Sequence, residues 1–74
     1  MAAPELVRAV RSPRGRRYHL VTEEDTGRQG VVALYCGGYL GAARLRQLSR
    51  RALSAEAVCP VCLRRFAQEQ ADGS

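Results

Sequence analysis

The sequence contains no lysine, asparagine, isoleucine or tryptophan, a single phenylalanine, a single histidine and only three cysteines in 74 residues. Each scarcity excludes something. Large apolar side chains are few, and alanine supplies much of the hydrophobic content. A chain of this length and make-up cannot rely on a hydrophobic core alone and falls in the range where metals or cross-links are commonly needed. With one histidine, no serine in a recognisable nucleophile setting and no phosphate-cradling glycine motif, there is little from which to build a catalytic constellation. The expectation is a protein that is not an enzyme and takes no small-molecule substrate. The longest uncharged run, Gln29 to Ala43, is fifteen residues long and broken by glycine, too short and too weakly apolar for a membrane span. The basic N-terminal stretch lacks the apolar centre of a secretory signal, so the expected location is cytoplasmic. A reducing compartment argues against structural disulfides, and three cysteines cannot all pair within one chain.

Along the chain, residues 1–15 carry Pro4, Pro13 and Gly15 among scattered arginines and read as a flexible basic tail, with Glu5 to Arg11 as one short helical candidate. A single domain is expected over residues 16–70, followed by a disordered terminus at 71–74. "RRYHLVT" (16–22) and "VVALYC" (31–36) read as two strands, joined by a turn for which Asp25 and Gly27 are suited, so an antiparallel hairpin is expected. Gly37-Gly38 breaks the second strand. "LGAARLRQLSRRALSAEAV" (40–58) is the best helix candidate, with Leu45, Leu48 and Ala52 on one side, although Leu53 lies off that stripe. A second short helix is expected over "LRRFAQEQ" (63–70), beginning at or just after Cys62. The predicted fold is therefore a small α+β zinc-stabilised domain, an antiparallel hairpin plus two helices.

What is present in place of a large core is "VCPVCLRRF" (58–66), a Cys-x-x-Cys pair. A redox dithiol of this spacing usually follows a strand in a βαβ unit, for which this chain is too short. The same spacing lets two sulfurs reach one tetrahedral metal. The remaining inventory holds one other cysteine, Cys36, and one histidine, His19. Together His19, Cys36, Cys59 and Cys62 make a set of three cysteines and one histidine for one structural Zn2+, with no position left open for water. The predicted hairpin sets His19 and Cys36 across from each other. Taken singly, His19 also reads as a packed strand residue and Cys36 as a small buried hydrophobe. Glu23, Glu24 and Asp25 are alternatives to His19 as ligands.

The order His19…Cys36-Gly37…Cys59-Pro60-Val61-Cys62, in a small Arg- and Ala-rich protein, resembles the small actinobacterial zinc-finger proteins with one histidine and three cysteine ligands, over residues 16–66. That resemblance implies a structural zinc and a regulatory or adaptor role. The hairpin joined to a CxxC-plus-helix corner is also similar to treble-clef-like fingers. Leu63 after the second cysteine, where zinc knuckles usually carry glycine, and the segment between Cys36 and Cys59 depart from those patterns.

The formal net charge is +5, and all twelve basic residues are arginine. That balance favours acidic partners, either DNA or RNA or an acidic protein surface. Candidate phosphate contacts are Arg14, Arg16 and Arg17, then Arg44, Arg46, Arg50 and Arg51, and Arg64 and Arg65. Nothing supplies base readout. Tyr18, Tyr35 and Tyr39 read as packing residues before stacking platforms. Two function classes follow: a nucleic-acid-binding zinc module, or a protein-interaction adaptor on transcription or other machinery. A thiol-based redox or zinc sensor is a lesser alternative.

Overall fold

Leu6–Arg11 carries apolar residues in pairs, each pair followed by an arginine, so apolar side chains fall on both faces of an extended segment. In the computed structural model, which describes residues 6–72, this segment is β1 and occupies the centre of the sheet. The elements that follow are β2 (Tyr18–Leu20), β3 (Val31–Ala33), β4 (Tyr39–Gly41), β5 (Arg46–Ser49), a single 3-10 turn (Arg50–Ala52) and helix α1 (Pro60–Asp72). Strands β2, β1 and β5 form one antiparallel sheet in that order, while β3 and β4 form an antiparallel pair.

The two ladders are joined where β2 runs on. Val21 bridges Leu34, and the N–H groups of Thr22 and Tyr35 donate to the carbonyls of Ala33 and Leu20 at 2.8 and 3.0 Å. The turn between these segments is held by its own side chains. Asp25 Oδ1 accepts from the Gly27 N–H at 2.9 Å, and the Thr26 hydroxyl donates to the Val31 carbonyl at 3.0 Å. Between β3 and β4, Gly37 adopts φ 98°, and Leu34 N–H donates to the Gly38 carbonyl at 2.9 Å. This is a short glycine-bulged hairpin, and only glycine takes that left-handed position without strain.

Because side chains alternate along a strand, β1 serves two small clusters. Val7 and Ala9 pack with Leu20, Val58 and Cys62, whereas Val10 packs with Val21 and Leu34. Ala9 is 0% exposed and Val10 1%, so the strand is covered on both sides. Helix α1 lies on the first cluster. Pro60 opens it at the position where a missing N–H costs nothing, and Leu63 N–H donates to the Cys59 carbonyl at 3.0 Å. Its partly buried Leu63 and Phe66 face the sheet, with Phe66 edge-on to Tyr35 at 5.6 Å between ring centres. Burial and a hydrogen bond from its hydroxyl to Glu69 push Tyr35 up to about 12.

Two expectations are corrected here. The helix expected over residues 40–58 is absent: that stretch supplies β4, β5 and one 3-10 turn, so the described residues form five strands and one helix in place of a hairpin with two helices, and the treble-clef-like description does not hold. The physical reason is β1, whose free edge takes residues 46–49 as an antiparallel partner and whose Val7 sits opposite Leu48. Tertiary pairing outweighs the helix propensity of alanine, leucine and arginine. Residues 6–11, read as part of a tail or as a short helix, are that central strand, while residues 1–5 of the tail lie outside the described residues. At the other end α1 continues to Asp72, past the expected end of ordered structure at 70, and residues 73–74 lie outside the described residues.

Candidate metal centre

Strand β2 assembles the centre through its outer edge. The antiparallel register that pairs Val21 with Leu34 places Cys36, two residues after Leu34, opposite His19, two residues before Val21. On the earlier half of the same edge, Tyr18 bridges Val58 in parallel: its N–H donates to the Ala57 carbonyl, and its own carbonyl accepts from the Cys59 N–H, both at 2.8 Å. Cys59 then caps α1, and Cys62 stands in the first turn of the helix. His19 therefore sits between a ligand carried by the β3 side and two carried by the helix side.

The four ligand atoms of His19, Cys36, Cys59 and Cys62 all lie within 4.8 Å of one another. His19 Nδ1 is 3.6 Å from Cys36 Sγ and 3.8 Å from Cys62 Sγ. A tetrahedral ion with metal–nitrogen and metal–sulfur bonds of about 2.1 and 2.3 Å has nitrogen–sulfur edges of about 3.6 Å, so these distances suit a shared ion. Cys62 is completely buried and the other three are half-buried. The cluster can coordinate a metal ion, and the acidic turn residues Glu23, Glu24 and Asp25 are not part of it.

The thiols differ electrostatically. Burial pushes the Cys62 thiol up to about 12 and overrides the hydrogen bond it receives from the Leu20 backbone. Burial also opposes ionisation of Cys59, yet backbone N–H groups of Cys62 and Val61, with help from the Cys62 and Cys36 thiols, hold it below the ordinary thiol value. A cation held by the cluster would supply what Cys62 lacks, since a coordinated thiol gives up its proton. Beside the cluster, a cleft of about 480 Å³ is lined by Gly15, Arg16, Arg17, His19, Glu56 and Cys59.

The arginine candidates separate. Arg50 donates to Gln70 at 2.9 Å and lies over the Phe66 ring, and Arg65 donates to the Tyr35 carbonyl at 3.2 Å, so both are engaged within the fold. Arg51 and Arg64 are exposed, on the 3-10 turn and on α1. Arg14, Arg16 and Arg17 stand on the exposed β1–β2 connection. Arg44 and Arg46 do not share a helix with Arg50 and Arg51. They join Arg11, Ser12, Pro13 and Tyr18 around a second cleft of about 340 Å³. Arg11 and Ser12 carry no signal in the sequence, because Arg8 and Arg11 interrupt the apolar pattern of β1 and Ser12 lies just past it. Of the tyrosines, Tyr18 and Tyr35 pack against the core, whereas Tyr39 is 61% exposed.

Among the described residues, no helix is long and apolar enough to cross a membrane. No family model, curated protein or solved structure matches the chain. What stands of the likeness to fingers with one histidine and three cysteines is the gathered metal-binding cluster, on a fold of five strands and one helix.

Proposed function

We propose that this chain is a zinc-stabilised, non-catalytic binding module that engages nucleic acid through its arginine-bearing surface. The observation that carries the reading is the convergence of the four His and Cys ligand atoms within 4.8 Å. Soft thiolates with one imidazole favour zinc among the common divalent ions. A closed set of four protein ligands leaves no site for an activated water, which supports a structural role over a catalytic one. The ion's place between β2, the β3 hairpin and α1 is that of a staple across three elements. Three thiolates and a divalent cation leave one net negative charge at the centre, and Arg16 and Arg17, which share its open side with Glu56, offset it.

Nucleic acid is favoured as the partner because most of the guanidinium groups are left available, Arg8, Arg50 and Arg65 being hydrogen-bonded within the fold. Among the described residues, no arginine forms an ion pair with a carboxylate. With Arg11, Arg14, Arg16 and Arg17 exposed, binding is expected to be phosphate-directed, salt-dependent and indifferent to sequence. Exposed Leu6, Tyr39 and Leu45 support the second reading, an adaptor that docks on an acidic protein surface.

Elemental analysis of natively purified protein tests the metal and should return one zinc per chain. Fluorescence anisotropy with duplex DNA and single-stranded RNA at two salt concentrations tests the partner. Binding that weakens with salt supports the nucleic-acid reading. No complex at low salt removes it and leaves the adaptor.

A further inference from the structure

We propose that the cleft formed by Arg11, Arg44 and Arg46 is a built phosphate-binding site, taking either a backbone phosphate of nucleic acid or a free inorganic phosphate. The inference deepens the nucleic-acid reading by assigning the contact to one place, and it rests on strand register. Ala9 pairs with both Leu20 and Arg46, and Arg11 pairs with Tyr18. Partners directly across an antiparallel ladder share a face, as do residues two apart on one strand. Arg46, Arg11 and Tyr18 therefore stand on the same face of the sheet as Ala9.

Ala9 itself is covered by the core, and the cleft opens beyond it, at the Arg11 end of β1. Arg44 enters from the connection before β5, where Leu45 N–H donates to the Ala42 carbonyl at 3.1 Å and turns the chain. Ser12 and Pro13 complete the lining.

Three features make this an anion site in place of a merely solvated basic surface. Three guanidinium groups border one cleft that has no acidic residue in its lining. None of the three is paired with a carboxylate among the described residues. Arg11 is also positioned in advance, its guanidinium carbon 5.8 Å from the centre of the Tyr18 ring. A planar guanidinium fork held in place matches phosphate oxygens in a way that a mobile ammonium does not. The Ser12 hydroxyl adds a neutral donor. The volume of about 340 Å³ accommodates a phosphate group with bridging waters.

The test uses the full, zinc-loaded chain. Inorganic phosphate is titrated while amide NMR signals are followed, then a short single-stranded RNA and a duplex DNA are titrated at the same ionic strength. Saturable shifts confined to Arg11, Ser12, Tyr18 and the Arg44–Arg46 segment support the site. Arg11→Gln and Arg44→Gln should each weaken oligonucleotide binding about tenfold, the effect of losing one charge-assisted contact. Arg28→Gln, which removes the same charge elsewhere, should have a much smaller effect. Equal losses for Arg28→Gln and Arg11→Gln, or no saturable shifts with any probe, overturn the site in favour of diffuse attraction. Phosphate that saturates the cleft without being displaced by oligonucleotide keeps the site and assigns its ligand as free phosphate. Zinc content and signal dispersion measured on each variant keep a failure of this site separate from a failure of the metal reading.

Discussion

Withdrawing the metal should unfold this chain rather than loosen it. A domain of 74 residues has a net stability of about 4–11 kcal/mol at the usual 0.05–0.15 kcal/mol per residue. Structural zinc sites contribute about 10–16 kcal/mol of binding free energy near neutral pH. The second quantity equals or exceeds the first, so stability without the ion should be near zero or negative. The structure agrees with that arithmetic. Among the described residues, the buried apolar set is limited to Val7, Ala9, Val10, Leu20, Val21, Ala33, Leu34, Val58 and Cys62, with no aromatic among them. The segment that bridges Tyr18 on the edge of β2 leads directly into Cys59, so the core and the ligands come apart together. Adding a high-affinity chelator should collapse amide dispersion and strand circular dichroism in one step, and excess zinc should restore both. Cys59→Ser should reproduce the chelated state. A metal-free protein with the same dispersed spectrum would show that the small core suffices and that the ion is incidental.

Other perturbations bear on separate parts of the fold. Leu20→Ala empties a fully buried position beside Val58 and Cys62 and should cost about 2–5 kcal/mol in chemical denaturation of the zinc-loaded protein. Gly37→Ala forces a Cβ into a φ of 98° and should cost about 1–3 kcal/mol, whereas Gly38→Ala meets Leu34 Cδ1 at an ordinary 3.7 Å and should change the midpoint little. Tyr35→Phe keeps the edge-on contact with Phe66 and loses only an exposed hydrogen bond to Glu69, so a shift within about 1 kcal/mol is expected by the same denaturation assay.

The metal cluster was legible because its chemistry is concentrated in rare residues: one histidine and three cysteines leave a single four-ligand set. The turn at Asp25 and Gly27 was legible for a similar reason, since its local hydrogen bonds involve only neighbours in sequence. Strand β1 was not. Arg8 and Arg11 break its apolar pattern, and its burial is conferred by partners at residues 18–20 and 46–49. The β5 segment failed in the opposite direction. Its alanine, leucine and arginine content reads as helix, and only Leu53, lying off the helical stripe, signalled the conflict. Without β1 in place there was no open edge to claim residues 46–49, so one misreading produced the other. The arginine cleft was hidden with them, because it exists only through the register of those two strands.

The shared edge of β2 has a consequence for how the protein behaves when it fails. In the folded chain, the N–H and carbonyl of Tyr18 are taken up by Ala57 and Cys59, and the carbonyl of Leu20 by Tyr35. Both covering segments carry residues of the candidate metal cluster, Cys59 in one and Cys36 in the other. Losing the ion releases them from the strand and presents a row of unpaired donors and acceptors, flanked by Leu20 and Val21, to any other chain in solution. Such an exposed edge is a template for intermolecular strand addition. On the proposed reading the ion would also act against self-association, and partly demetallated protein should form aggregates faster than its loss of helical signal alone would suggest.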